Sequence, residues 1–222
     1  MKKLTIAAAL AAATMLATPA WAGSDEGKIQ IKVLATGVLP DGKIDTVKTD
    51  LIGLPVGSQT AANDNVVPTV AVEYYFNNNI SLETICCVTK HKVRGAGALL
   101  GTDLVKDVLI VPATFTLKYH MPLGPVKPYI GAGPSVFIML DSKPDVDAVG
   151  LGATRAKLSS NIGVAVQAGV DIGMGNGMGI SLDAKKYWMG TTAKFYAGNT
   201  LVLESKHKLD PWVLSGGMYF RF

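Results

Sequence analysis

The sequence predicts an all-β fold, an eight-stranded antiparallel transmembrane β-barrel with short periplasmic turns and long extracellular loops. Three observations predict it. Eight segments alternate apolar and polar residues with period two, the repeat of a strand with unlike faces. Short turns rich in Asn, Gly and Pro alternate with long polar links, the plan of an outer-membrane barrel. Beyond the N-terminus no uncharged apolar run is long enough to span as a helix, which leaves a closed barrel to satisfy the backbone in lipid.

The chain begins with Lys2 and Lys3, then an uncharged apolar run from Leu4 to Leu16, then Thr18-Pro19-Ala20-Trp21-Ala22. The run is too short to span, and the Ala-x-Ala ending reads as a cleavage site. Residues 1–22 are therefore expected to be a signal peptide, cleaved between Ala22 and Gly23, and residues 23–222 the barrel domain. The formal charge of +4, less Lys2 and Lys3, leaves +2, too mild to argue for nucleic acid. The only two cysteines, Cys86 and Cys87, are neighbours on opposite faces of a strand, so the chain is not a disulfide scaffold.

Taken in order, Ile29, Ile31, Val33 and Ala35 share one face, opposite Lys28, Gln30, Lys32 and Leu34. Val70, Val72, Tyr74 and Phe76 alternate with Glu73 and Tyr75, and Ile80, Leu82, Cys86 and Val88 with Glu83, Ile85 and Cys87. Leu109 to Tyr119 alternates with Thr114, Thr116, Lys118 and His120, and Ile130, Ala132, Val136 and Ile138 share a face. Leu158 to Ile172 alternates with Asn161, Gln167 and Asp171, and Ile180, Leu182 and Ala184 with Ser181, Asp183 and Lys185. Trp212, Leu214, Met218, Phe220 and Phe222 close the series.

Asn77–Asn79, Met121–Pro125 and Gly173–Met178 read as the short turns, and Leu39–Asn65, Lys90–Val108, Asp141–Lys157 and Ala197–Leu209 as the long links. Aromatic residues near the strand ends, Tyr74, Tyr75, Phe76, Tyr119, Tyr129, Trp188, Trp212, Tyr219, Phe220 and Phe222, suit interfacial girdles. A soluble sandwich or lipocalin-like barrel would carry the same alternation with the apolar face inward. The membrane reading instead gives an inward polar set of Glu73, Glu83, Lys118, Asp171, Asp183 and Lys185, able to pair as a plug in a narrow lumen.

Catalytic, cofactor and metal signals are weak. In "CCVTKHKV", Cys86 and Cys87 face opposite ways, and the lysines beside His91 would repel a metal and suit lipopolysaccharide phosphate. His120 lies inward near the periplasmic end, and His207 stands beside Glu204 and Ser205 in a link, a local trio with little prospect of triad geometry. Gly173, Gly175, Gly177 and Gly179 lack the helix and lysine of a phosphate loop, and Asp141–Asp147 lacks the spacing of a calcium loop. No enzyme, no cofactor and no metal is expected.

"ATGVLP" at Ala35–Pro40, "VAVEYYFNNNISLET" at Val70–Thr84, "VPATFTLKYH" at Val111–His120 and "VKPYIGAGPSVFIM" at Val126–Met139 resemble the OmpW family of small outer-membrane barrels, AlkL among them. "QAGVDIGM" at Gln167–Met174, "SLDAKKYWMGTTA" at Ser181–Ala193 and "LDPWVLSGGMYFRF" at Leu209–Phe222 extend the resemblance over nearly the whole mature chain. The resemblance implies a Gram-negative outer-membrane protein with a narrow apolar channel for passive uptake of small hydrophobic molecules, with sideways exit into the membrane. It also implies that the end of the chain, Phe220 and Phe222, is an assembly signal read by the barrel-assembly machinery. Some members carry Trp where Lys185 aligns, so a salt bridge of Lys185 with Asp183 is expected to close the lumen here.

The inward parity nominates Leu34, Tyr75, Ile85 and Tyr187 for the hydrophobic path, and the apolar cluster Leu51, Ile52, Leu54 and Val56 in the first link could form its mouth. Expected partners are outer-membrane lipid, lipopolysaccharide and small hydrophobic solutes. The alternative is a non-conducting structural or receptor barrel whose loops bind phage, bacteriocin or host surfaces.

Overall fold

The computed structural model describes residues 26–150 and 152–222, so the expected signal peptide lies outside the described residues. The strands are β1 (Ile29–Leu39), β2 (Lys43–Asp50), β3 (Ser58–Ala62), β4 (Asn65–Tyr75), β5 (Ile80–Cys86), β6 (Thr89–Gly97) and β7 (Asp103–His120). After β8 (Val126–Pro144) comes a short helix, α1 (Val146–Gly150). Then follow β9 (Arg155–Leu158), β10 (Asn161–Gly175), β11 (Met178–Trp188), β12 (Gly190–Ala197), β13 (Thr200–Lys208) and β14 (Trp212–Arg221).

Eight of these close a barrel in the order β1-β4-β5-β7-β8-β10-β11-β14, with the β7–β8 and β1–β14 ladders completing the ring. Every ladder is antiparallel, and the closing one runs from Gln30↔Arg221 to Leu39↔Trp212. A closed ring leaves no unpaired sheet edge within the bilayer.

Burial settles which face is which. Val33, Val70, Val72, Leu82, Phe115, Leu117, Val164, Val166, Leu182 and Leu214 are exposed on the outer wall, while Gln30, Lys32, Glu73, Lys118, Gln167 and Asp171 are buried inside. An apolar-out, polar-in barrel is a lipid-facing one, and the soluble alternative is discarded. Among the aromatics, Tyr74, Phe76, Tyr119, Trp188 and Trp212 face outward as expected of girdles. Tyr75, Tyr129 and Tyr219 do not: they are buried in the lumen, because their parity places them on the polar face.

The turns form where the sequence places them. Asn77 Oδ1 accepts hydrogen bonds from the Asn79 and Ile80 amides, and Asn176 and Gly177 both take positive φ in the two-residue β10–β11 hairpin, the conformation that favours Asn-Gly. The long links depart from expectation. Rather than irregular loops, they carry strands that lengthen the barrel beyond the belt. β3 pairs with β6, which pairs with upper β7, and β2-β13-β12-β9 forms a second sheet. β7 starts at Asp103 and β8 runs to Pro144, well past the expected strand limits at Leu109 and Ile138.

The wall is interrupted between β7 and β8, where among the described residues no ladder pair joins Phe115 or Thr116 to Gly133 or Pro134, and more widely between β5–β6 and β7. The third strand pairs with β7 from Ile80↔Tyr119 to Ile85↔Thr114, and resumes only at Thr89↔Ile110. Cys87 and Val88 belong to neither β5 nor β6, and among the described residues no ladder pair joins Val111, Pro112 or Ala113 to this strand. Pro112 has no amide hydrogen to offer there.

Candidate functional site: an apolar cavity above an ion-paired floor

Inside the barrel the side chains divide into two storeys. The lower one is charged. Lys32 Nζ lies 3.0 Å from Glu73, 3.2 Å from Glu83 and 3.3 Å from Asp171. Lys118 Nζ lies 2.9 Å from Glu73 and 3.0 Å from Glu83, and Lys185 Nζ 3.1 Å from Glu83 and 2.5 Å from Asp183. Neutral donors take further carboxylate lone pairs. Gln30 Nε2 and Ser181 Oγ donate to Asp171, at 2.9 and 2.6 Å, and Tyr129 Oη donates to Asp183 at 2.9 Å. The Lys118 ammonium also stands 3.6 Å above the Tyr129 ring centroid. Such packing needs Gly169, where a Cβ would fall 2.4 Å from Tyr129 Oη. Buried charges survive when paired and hydrogen-bonded, and each lysine and carboxylate of this network is both; within it His120 Nδ1 is a buried atom with no hydrogen-bond partner among the described residues.

All six residues expected in the polar plug, Glu73, Glu83, Lys118, Asp171, Asp183 and Lys185, therefore meet in one network, and the Lys185–Asp183 pair forms. Lys32, Gln30, Tyr129 and His120 join them unannounced, although the inward parity of Gln30 and Lys32 was visible in the sequence.

The upper storey is apolar. A cavity of about 140 Å³ lies above Tyr187, walled by Val105, Val108, Ile110, Phe137, Phe195 and Val213, among others. Ala148 of α1 and Ala153 just beyond it line the cavity, so the α1 segment forms part of its wall. The Asp147 carboxylate holds this segment by accepting from the Asp103 amide at 2.6 Å. Cys87 and Pro112, the two sides of the wider wall discontinuity, both line the cavity.

Of the path expected from the sequence, Ile85, Tyr187, Ile52 and Leu54 line this cavity. The rest are corrections. Leu34 is buried against Ala71 and the lining residue Ile85, but does not itself line the cavity. Tyr75 sits in the lower storey, its ring 5.0 Å from that of His120 and 3.8 Å below the Arg221 guanidinium. Leu51 and Val56 are turned to the outside at the β2–β3 turn, 67% and 101% exposed, because Asp50 accepts from the Ile52, Gly53 and Leu54 amides and folds only Ile52 and Leu54 inward. Most of the true lining, such as Val105, Val202 and Leu203, comes from segments that read as polar links.

Two trios carry serine, histidine and acid, and neither forms a relay. Ser81 Oγ and Glu73 Oε1 approach the same His120 nitrogen, Nε2, at 2.9 and 2.8 Å, and Ser81 donates directly to Glu73 at 2.5 Å. A relay needs the nucleophile and the acid on opposite ring nitrogens of the histidine base. His207 Nε2 meets Ser205 at 2.8 Å, but Glu204 faces away, 3.3 Å from Lys48 and 3.4 Å from Lys194. His91 is bound through Nδ1 to the Asn63 carbonyl and through Nε2 to Thr89, both at 2.8 Å. Burial holds both His91 and His207 below the ordinary histidine range, His207 at about 4.

At the end of the chain, β14 brings Phe220 and Phe222 to the barrel seam, where the Phe222 amide donates to Ile29 O at 2.7 Å and its carbonyl accepts from the Ile29 amide at 3.0 Å.

Comparison with known proteins follows this geometry. The sequence model described as the OmpW family matches residues 25–222. The dibenzothiophene metabolism operon protein PahQ of Pseudomonas aeruginosa is 32% identical over 203 residues, covering 90% of each chain. The crystal structure of the outer-membrane protein OprG from Pseudomonas aeruginosa superimposes with a TM-score of 0.77 at 21% identity, covering 89% of this chain and 97% of that one. The solid-state NMR structure of outer-membrane protein AlkL in lipid bilayers gives 0.69 at 18% identity, covering 92% and 95%.

Proposed function

The chain belongs to the OmpW family and is an outer-membrane barrel in contact with membrane lipid, and from that premise we propose that it is a passive conduit for small hydrophobic molecules. One observation carries the reading: the apolar cavity rests on an ion-paired floor and reaches the wall at the Cys87/Pro112 discontinuity. A solute in the cavity meets a fully paired charge network below it and lipid beside it. Descent would cost desolvated charge pairs; sideways transfer exchanges one apolar surrounding for another. The exit is therefore lateral, between β5–β6 and β7. A dry apolar cavity of roughly 150 Å³ holds a benzene-sized solute, which sets the scale of what this one takes.

The kinship with a protein named for dibenzothiophene metabolism supports an aromatic or other apolar cargo. The six plug residues act as the floor, the terminal Phe220 and Phe222 act as the assembly signal, and lipopolysaccharide surrounds the extension. The test is uptake of naphthalene by cells with the protein, without it, and with Ala193→Phe, which fills the cavity from β12. Faster uptake with the parent that Ala193→Phe reduces about tenfold supports the conduit. Equal rates in all three strains overturn it and favour a receptor or structural barrel.

A further inference from the structure

The cavity wall is not wholly apolar, and its few polar side chains can be counted proton by proton. His91 has none to spare: the Asn63 carbonyl can only accept, so Nδ1 carries the hydrogen and Nε2 accepts from the Thr89 hydroxyl. Thr191 donates to Ser159 O at 2.8 Å. Thr36 pairs with Ser215, and Tyr187 with Thr114, which pairs in turn with Ser135. Each of these two hydroxyl chains has one hydrogen more than its bonds use. Each can carry it on Ser215 or Ser135, which do not line the cavity.

The chain Thr60–His207–Ser205 is different. Thr60 Oγ1 lies 3.2 Å from His207 Nδ1, and Ser205 Oγ lies 2.8 Å from His207 Nε2. A neutral imidazole has one hydrogen and one lone pair. If Nδ1 accepts from Thr60, Nε2 donates to Ser205 and the Ser205 hydrogen is left over; in the other tautomer the Thr60 hydrogen is left over. Both ends line the cavity, so whichever tautomer forms, one hydroxyl hydrogen has no acceptor among the described residues and is available to the cavity. The burial that keeps His207 neutral preserves the count.

We propose that Thr60, His207 and Ser205 form a single hydrogen-bond donor point in the cavity, which selects apolar solutes carrying one acceptor, such as an aryl ketone or ether, over bare hydrocarbons of the same shape. The proposal rests on the conduit reading and deepens it. A lone donor in an apolar surrounding gives orientation and specificity without demanding a second polar group, the usual design of a small-molecule site. A net hydrogen bond of ordinary strength corresponds to a preference of roughly 2- to 12-fold.

The probes are acetophenone and ethylbenzene, which differ in the carbonyl, titrated into the full-length protein in lipid nanodiscs. The variant is Thr60→Val/His207→Leu/Ser205→Ala, which removes every donor of the chain, and its heat-dependent mobility in SDS reports whether it folds. In the parent, acetophenone should bind better than its partitioning into hydrocarbon predicts; in the variant its affinity should fall about 5-fold while ethylbenzene holds or gains. If the variant misfolds, Thr60→Val with Ser205→Ala keeps the comparison, because its remaining imidazole hydrogen points at a fixed ring position and the loss should be partial. Ethylbenzene binding with no extra acetophenone affinity, or equal loss of both probes in a folded variant, overturns the donor point and leaves the conduit standing. Failure of the parent to bind either probe overturns both.

Discussion

Glu83 is the keystone of the floor, and its removal gives a worked test of the charge network. Its carboxylate lies 3.0 to 3.2 Å from Lys118, Lys185 and Lys32. In Glu83→Gln each lysine keeps another acid: Lys185 keeps Asp183, Lys118 keeps Glu73, and Lys32 keeps Glu73 and Asp171. No ammonium is fully orphaned, so the loss should lie near the lower end of the range for breaking a buried pair, about 3 kcal/mol. Lys118→Met is the mirror change, leaving Glu73 with Lys32 and His120, and Glu83 with Lys32 and Lys185. Each single variant unbalances the lumen by one charge, and the double variant restores the balance. The double should therefore be less destabilised than the sum, by about 1–3 kcal/mol. The assay is equilibrium unfolding in urea from lipid vesicles, followed by the heat-dependent mobility shift. A Glu83→Gln cost under about 1 kcal/mol, or a double variant additive to within about 0.5 kcal/mol, would refute the account of the floor as an interdependent network.

Pro112→Ala offers an amide hydrogen where the wall is open; transfer of solute from the cavity to lipid should slow several-fold while equilibrium binding in nanodiscs stays unchanged, and an unchanged transfer rate would place the exit elsewhere. Gly169→Ala drives a Cβ into Tyr129 and should cost about 1–3 kcal/mol in urea unfolding, whereas Gly37→Ala, whose Cβ meets nothing nearer than Leu214 O at 3.8 Å, should cost less than about 1 kcal/mol. The pH dependence of the extension follows from His207, whose folded value of about 4 lies below the ordinary 6.5. A depressed histidine favours the folded state when neutral, so its contribution is complete above pH 6.5 and is lost as pH falls through about 4. Limited proteolysis of the β12–β13 hairpin should therefore accelerate between pH 6.5 and 4, by up to about 3 kcal/mol of local opening, and His207→Gln should flatten that rise.

The transmembrane barrel was legible because lipid imposes its own contrast: Val70, Val72 and Tyr74 must differ from Glu73 and Tyr75 when one face meets hydrocarbon and the other a charged lumen. Parity then located six members of the plug, though not Lys32, whose inward place it also gave. The upper storey was not legible in the same way. Above the belt the outer face meets water, so Glu204 and Lys206 alternate with Leu203 and Ser205 in a short strand whose outward charges read as a polar link. Parity also says nothing about height, which is why Tyr75, inward but low, was grouped with Tyr187, inward and high. Leu51 and Val56 differ from Ile52 and Leu54 only through the carboxylate of Asp50, a hydrogen-bonding detail that an apolar cluster does not announce.

The ion-paired floor has an electrical consequence. An outer membrane that admits oils through a water-filled pore would also admit salt and shunt any voltage across it. Here Lys32, Lys118 and Lys185 are each neutralised at contact distance by carboxylates that are themselves shared. A permeating ion would find each counter-charge already taken, and displacing one would strand another in a low-dielectric interior. The same barrel can thus be permeable to oil and insulating to current, and in a planar bilayer it should add no measurable conductance.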